Sequence, residues 1–345
     1  MATIATNYLT LADLYRRRDP NNSIADIVEM MAQVNPILTD TVAVECNNGV
    51  SHLTTIRTGV PSATWRKLYQ GVQPTKSTTA QVEDTTGMLE AWSEVDSKLV
   101  ALSNDPAAFR MSEAKAFIEG LSQQGASAIF YEDVLTTPER MLGLRARFND
   151  TAGGTITSGP GAQIVLGANA VASSSCSIWF IVWGADTCHL LYPKGTQAGI
   201  KRREIGEETK DLGASGVYRV FREQFTWDLG LSVRDWRYIA RVANLKTSDL
   251  VAADNTTSND YSNLIKLMIQ AYYKLWQRPS RQPKGGGLAI YCNRTVKTAL
   301  HLKARTDIAN ATLGYANFEG KEILTFMGAP IREVDALTAT ESLAT

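Results

Sequence analysis

From Val217 to Val242 the chain reads VYRVFREQFTWDLGLSVRDWRYIARV, with large apolar residues at every second or third position. On its second half Trp236, Tyr238, Ala240 and Val242 alternate with Asp235, Arg237, Ile239 and Arg241, the two-residue period of a strand with one greasier face. The pattern predicts two strands folded back through Trp227-Asp228-Leu229-Gly230, each of roughly ten residues and on the order of 33 Å long. A lone hairpin is marginal in water, and this one carries bulk on more than one face: Phe221 and Phe225 oppose Tyr218 and Val220. Its second face needs a cover, either a helix of this chain or another copy of it.

A three-to-four-residue period occupies Phe109–Asp133, where Ala114, Phe117, Ile118, Leu121, Ala128 and Ile129 share a stripe. Asn104-Asp105-Pro106 starts this helix, with proline at its first position, and its length comes to roughly 35–40 Å. Gly120 and Gly125 would each cost it about 1 kcal/mol relative to alanine, so another backbone or strand is expected to pass close there. A helix laid along Val217–Val242 is the simplest cover for that ribbon.

Elsewhere the signals are shorter. Leu9, Leu11, Leu14 and Tyr15 precede a break at Arg16–Pro20. Ser23 then caps a second helix with Asp26 three positions on and a stripe of Ile24, Ile27, Met31 and Val34. Such an early amphipathic segment reads as an arm that docks elsewhere. Between Thr41 and Leu99, VAVEC, HLTTIRT, MLEAWSEV and SKLVAL have β character. Gln73–Gly87 has Val82 as its one large apolar residue, too little to build a core, so the whole reads as a protruding hairpin with a loose tip. Thr137-Pro138-Glu139 opens a short helix with Met141, Leu142 and Leu144, and a Gly/Ser-rich stretch follows to Gly167. Ser177–Trp183 and Thr187–Tyr192 read as a hairpin about Gly184-Ala185-Asp186, buried on both sides, and Pro193–Gly216 as a charged loop. Ser258 caps a helix to Trp276, Leu288–Cys292 is a buried strand, Asn293 caps a helix to Arg305, and Ile323–Val334 forms strands bent at Gly328-Ala329-Pro330. Helices and strands mix without a βαβ rhythm, so the expected class is α+β, and no unit of 20–50 residues repeats.

Composition narrows the function. Of 345 residues 44% are hydrophobic and 20% charged, the make-up of a folded chain. Lys+Arg and Asp+Glu are both 35, which argues against a protein whose main task is holding nucleic acid and favours association over repulsion. Cys46, Cys176, Cys188 and Cys292 lie far apart in apolar runs and are expected as buried free thiols. The N-terminus has no secretory pattern, and Ile178–Trp183 is too short to span a bilayer; a soluble chain made in the cytosol is expected.

Candidate chemistry is sparse. Gly153–Gly161 lacks the Gly-Lys-Ser/Thr of a phosphate loop, and Lys194-Gly195-Thr196 has the wrong order. His52, His189 and His301 share no metal spacing, and adjacent Cys188 and His189 point to opposite faces of a strand. Glu204, Glu207, Glu208 and Asp211 lack the pattern of a calcium loop. No catalytic residue, cofactor or metal is expected. Arg219, Arg222, Arg234, Arg237 and Arg241 could meet phosphates, but Glu223, Asp228 and Asp235 are interleaved with them, which suits pairing across a protein interface. With Trp227 and Trp236 these arginines are the expected inter-subunit contacts.

Taken together, these segments resemble the major capsid proteins of tailed bacteriophages, the family with the Hong Kong 97 fold. The likeness covers most of the chain and is strongest at FTWDLGLSVRDWRYIARVANL (Phe225–Leu245), SIWFIVWG…HLLYPKG (Ser177–Gly195) and FEGKEILTFMGAPIREVDAL (Phe318–Leu337). The resemblance implies an N-terminal arm (1–40), an extended loop (41–99), a spine helix with part of a peripheral domain (100–152), a first axial segment (153–200), a peripheral β-ribbon (201–250) and a second axial segment (251–345). It implies pentamers and hexamers in an icosahedral virion shell around double-stranded DNA, assembled in the host bacterial cytoplasm, with weak, sequence-independent genome contact and no membrane. Portal and cement proteins are implied partners. The arm begins almost at Met1, without the charged scaffolding segment of some members, so a separate scaffolding protein is expected. Some members cross-link a lysine to an asparagine of a neighbour; Lys67 and Lys76 lie in the loop as contact candidates, with no acceptor identified. The rival readings are a tail-tube or decoration subunit, or an enzyme with a dispersed active site.

Overall fold

The computed structural model describes residues 9, 33–103, 105–151, 159–171, 173–211, 213, 216–253, 259–276, 287–306, 313–318 and 321–345, with backbone alone at 306, 314–318 and 321–322. In chain order the elements are α1 (Ile37–Asp40), β1 (Ala43–Glu45), β2 (Ser51–Gly59), β3 (Thr78–Asp96), α2 (Ser97–Leu102), α3 (Pro106–Tyr131), α4 (Leu144–Arg147), β4 (Ile164–Leu166), β5 (Ser175–Val182) and β6 (Cys188–Tyr192). They continue with β7 (Lys201–Asp211), β8 (Val217–Val233), β9 (Ile239–Lys246), α5 (Thr247–Ala252), α6 (Asp260–Lys274), β10 (Leu288–Cys292), α7 (Arg294–Thr306), β11 (Leu313–Phe318), β12 (Lys321–Phe326) and β13 (Ala329–Glu333). One sheet has the order β1-β6-β8-β3-β2, with β7 also on β8; the other has the order β11-β12-β13-β10-β5-β9-β4.

The second sheet is buried on both faces, as its apolar runs require. Trp179 and Ile181 of β5 join one cluster with Leu121, Ile129 and Phe130 of α3; the alternate residues Ile178, Phe180 and Val182 join another with Leu264 and Met268 of α6 and Leu300 of α7. Helix α3 begins where Asp105 accepts from the amides of Ala107 and Ala108, with Pro106 at the first helical position. It covers β8, with Phe117 stacked on Phe225 at 5.4 Å between ring centres. A Cβ at Gly125 would lie 2.1 Å from the Trp227 ring, so the glycine lets the tryptophan lie against the helix backbone; nothing approaches Gly120 within 4 Å. One apolar cluster thus unites α3 with both sheets.

Several expectations change. Trp227-Asp228-Leu229-Gly230 is no turn: Val217–Val233 is a single strand, paired to β3 from Val220↔Asp96 to Gly230↔Thr86. The hairpin partner is β7, from the segment expected to be a charged loop, in register from Lys201↔Thr226 to Asp211↔Val217. Residues 201–250 therefore divide between the sheets, β7 and β8 in one and β9 in the other; 153–200 divide likewise, with β6 apart from β4 and β5. After Trp183 the chain crosses to the first sheet, so β5 and β6 do not form a hairpin. SKLVAL is a helix because Asp96 caps it through the Lys98 amide. Thr137–Glu139 is a turn region rather than a helix. Helix α6 is capped by Asn259, which accepts from the Ser262 amide; Ser258, the Ser23-capped helix and Gly153–Ser158 lie outside the described residues. The bend between β12 and β13 falls at Met327-Gly328, both at positive φ (49° and 84°), the conformation of a two-residue hairpin loop.

Candidate assembly surface

The 19 residues of β3 do two different jobs. Thr86–Asp96 pair with β8 in the body of the sheet. Thr78–Thr85 pair only with β2, as a two-stranded arm beyond it. Every residue from 60 to 81 is exposed. Among them Trp65 and Tyr69 are wholly open to solvent and Leu68 is 88% exposed. Scattered surface apolar residues are ordinary, but three large ones within five positions, on an arm without a core, form an uncovered patch. Residues 60–77 also hold Arg66, Lys67 and Lys76 with no carboxylate. The expected tip at Gln73–Gly87 is accordingly displaced: the tip is 60–77, and 78–87 is strand.

The arm is fixed at its root. Asp84 takes a bond of 2.7 Å from Arg147, whose guanidinium also donates to the Leu231 (3.0 Å) and Leu142 (3.3 Å) carbonyls. His52 of β2 meets His189 of β6 edge to face at 5.6 Å. His189 is wholly buried. Burial above all, then the charges of His52 and Arg234, push its pKa down to about 4, against weaker opposing effects of the Gly184 backbone and Asp84.

The arginines expected at a subunit interface have partners in the chain itself. Arg222 donates to Glu94 (2.6 and 3.0 Å) and Glu208 (3.0 Å), and Lys210 also bonds Glu94. Glu223 takes Arg202 (2.8 and 2.9 Å) and Arg110 (2.7 Å). Burial alone would raise the pKa of both glutamates; the hydrogen bonds and charges of their cations together outweigh it and hold each below the usual range. Arg219 lies 3.4 Å from Glu207, Arg234 bonds Asp186 at 2.9 Å, and Arg237 grips Asp235 while lying over the Trp276 ring. Arg241 and Trp227 need outright correction as contact residues. Arg241 is wholly buried in the second sheet, donating to the Phe148 carbonyl (2.7 Å), Ser177 Oγ (3.0 and 3.1 Å) and Glu341 (2.9 Å) above the Trp179 ring. Glu341 accepts a second bond from Tyr131 at 2.6 Å. Trp227 is held under α3, and Trp236 is half-buried against the same cluster. Lys67 and Lys76 are open. The apolar tip at Trp65, Leu68 and Tyr69 carries no hydrophobic period; its one signal in the sequence is WRKLY within an otherwise polar loop.

Among the described residues no cluster of His, Cys, Asp or Glu could hold a metal, and no helix is long and apolar enough to cross a membrane. The four cysteines are free and buried.

An α+β body whose longest helix serves two sheets, with a solvated two-stranded arm, is the build of a Hong Kong 97-like phage capsid subunit. Residues 19–345 match the family model for major capsid protein GP7, and the chain belongs to that family: it is a structural protein of the virion shell. It is similar to a chain in the near-atomic structure of bacteriophage Epsilon15, at 36% identity over the whole of both chains and a TM-score of 0.76. More distant likenesses are the capsid of bacteriophage JBD30 (11% identity, 90% of this chain and 95% of that one, TM-score 0.46) and the SrpI encapsulin of Synechococcus elongatus (10% identity, 69% and 97%, TM-score 0.43). No curated protein matches the chain.

Proposed function

We propose that this shell protein assembles through pentamers and hexamers into an icosahedral head around phage double-stranded DNA, with no catalytic role. Copies are clasped by the 41–99 loop, which lies on a neighbour. One observation carries the reading: a two-stranded arm that ends in solvated Trp65, Leu68 and Tyr69, which a protein complete on its own would cover. Many modest contacts repeated round a shell act at high effective concentration, so no single one need be strong. The peripheral domain is α3 with β3, β7 and β8; the axial domain is the seven-stranded sheet with α6 and α7. Closure, rather than an open filament, needs a set curvature, which a separate scaffolding protein supplies during assembly in the host cytoplasm. A portal occupies one vertex and cement proteins bind the finished shell. Balanced charge, 35 against 35, fits weak, salt-sensitive contact with the genome.

Co-expression with the scaffolding protein, followed by electron microscopy and size-exclusion chromatography, tests this. Closed shells and pentamer- or hexamer-sized species are expected. Tubes, or a single copy that stays monomeric at high concentration, would refute it.

A further inference from the structure

We infer that a cavity of about 310 Å³ between α3, the body end of β3 and the 139–141 segment seats the Trp65–Tyr69 tip of a neighbouring copy. Its walls mix apolar Leu89, Ala128, Met141 and Leu229 with polar Gln124 and charged side chains, and polar atoms line somewhat more of it than apolar ones. One wall exists because Gly87 has no side chain; a Cβ there would lie 3.2 Å from the Glu139 carbonyl and the Met141 amide. Met88, at its mouth, is 81% exposed and offers an incoming apolar group its first contact. A closed apolar cavity about half this volume takes up a benzene ring, so this more polar one has the volume for an amphipathic ring such as that of Trp65 or Tyr69.

Charge matches as well as shape. The rim carries Glu90, Glu132 and Glu139 against Arg140 alone, and Arg140 is already tied to Glu132 at 2.6 Å. The tip brings Arg66 and Lys67 beside its aromatic residues and no carboxylate. The occupant cannot be the chain's own tip. From Gly87 to Thr78, β3 runs as continuous strand, which at about 3.3 Å per residue puts the tip roughly 30 Å away, and a paired strand does not fold back. A second copy of the chain is therefore the occupant.

This assignment rests on the shell reading above but can fail without it. A cryo-EM map of wild-type particles is the first test: Trp65 or Tyr69 of one copy is expected against Met88, Leu89 and Met141 of the next. The second is cross-linking in assembled particles that carry Leu68→Cys and Met88→Cys, oxidised with glutathione disulfide; the native thiols are buried. A ladder of linked chains is expected, and none with Leu68→Cys and Val251→Cys, since Val251 is 70% exposed on α5. Where the cysteine variants do not assemble, the wild-type map decides alone. Shells whose tips lie elsewhere, or whose cavities hold another segment, overturn the assignment and leave the shell standing. Failure to form any shell overturns both.

Discussion

Acid should weaken the root of the arm through His189. An ordinary histidine titrates near 6.5, and this one is pushed down to about 4. The folded chain therefore binds that proton less readily than the unfolded chain. The sign follows: the contribution is fully present above pH 6.5, shrinks as pH falls, and is exhausted near pH 4. The depression corresponds to about 3 kcal/mol, a large part of a domain's net stability. The charged groups that act on the imidazole are His52 on β2, Arg234 beyond β8 and Asp84 on β3; of these only Asp84 favours the proton, and its carboxylate already accepts a bond from Arg147 at 2.7 Å. Urea unfolding followed by tryptophan fluorescence, repeated from pH 7.5 to 4, measures the loss. Glu94 and Glu223 are held below the usual carboxylate range, so their own contributions fade as pH falls past that range, and the informative quantity is the difference between the wild type and His189→Leu. The wild type is expected to lose about 3 kcal/mol more than the variant between pH 6.5 and 4. Parallel curves for the two proteins would show that His189 is not the group responsible.

Three further outcomes follow from packing. Arg241→Met strands the buried Glu341 and is expected to cost about 3–5 kcal/mol in urea unfolding, most of it recovered in Arg241→Met/Glu341→Leu; a double variant as unstable as the sum of the singles contradicts this. Gly125→Val drives a side chain into the Trp227 ring and should cost at least about 1–3 kcal/mol, whereas Gly120→Ala, with nothing nearby, should gain up to about 1 kcal/mol. Thermal melts that rank the two substitutions the other way count against the helix–strand contact. Replacing Trp65, Leu68 and Tyr69 together by serine should leave the unassembled subunit as stable as before while removing about 1.5–3 kcal/mol per side chain from a subunit contact; equal shell yield at equal concentration contradicts the arm's role.

How much of this was legible in the sequence depends on which signal each element carries. Helix α3 was visible because its period, its Asp-Pro start and Gly125 agreed. In β8 a local signal misleads: Gly230 reads as a turn residue but lies within the strand. The better signal was the unbroken alternation of Glu223, Phe225, Trp227, Leu229 and Leu231, all buried on one face. Gly230 is there because a Cβ would come within 2.9 Å of Thr86 and 3.0 Å of the Thr85 carbonyl, the use a glycine within a strand often has. β7 gave no hydrophobic period at all: KRREIGEETKD is held by its ladder to β8 and by pairs such as Arg202–Glu223 and Lys210–Glu94, which no local pattern announces. Arg241 illustrates the same blindness, for its partner Glu341 lies a hundred positions on. Charged residues on a strand read as outward-facing, and here the fold uses them internally.

That internal use bears on assembly. Arg222, Glu94, Glu208 and Lys210, with Arg110, Arg202, Glu204 and Glu223, hold β3, β7, β8 and the start of α3 together in two partly buried networks. Removing one member strands others in low dielectric, so these charges are poor candidates for exchange between subunits. The arm is the opposite case. Beyond Thr85 it has two strands and almost no buried side chain, and such a ribbon is marginal by itself. What aims it is the root, where Asp84 and His52 meet Arg147 and His189. At its tip Trp65, Leu68 and Tyr69 are left uncovered by the chain's own surface. With the arm clasping a neighbour as proposed, a body that satisfies its charges internally and an arm that leaves its apolar groups uncovered would place the association free energy mainly in hydrophobic contact at the tip. Shell stability should therefore respond more to truncating Trp65 than to raising the salt concentration, because screening acts on exposed charges and not on buried apolar area.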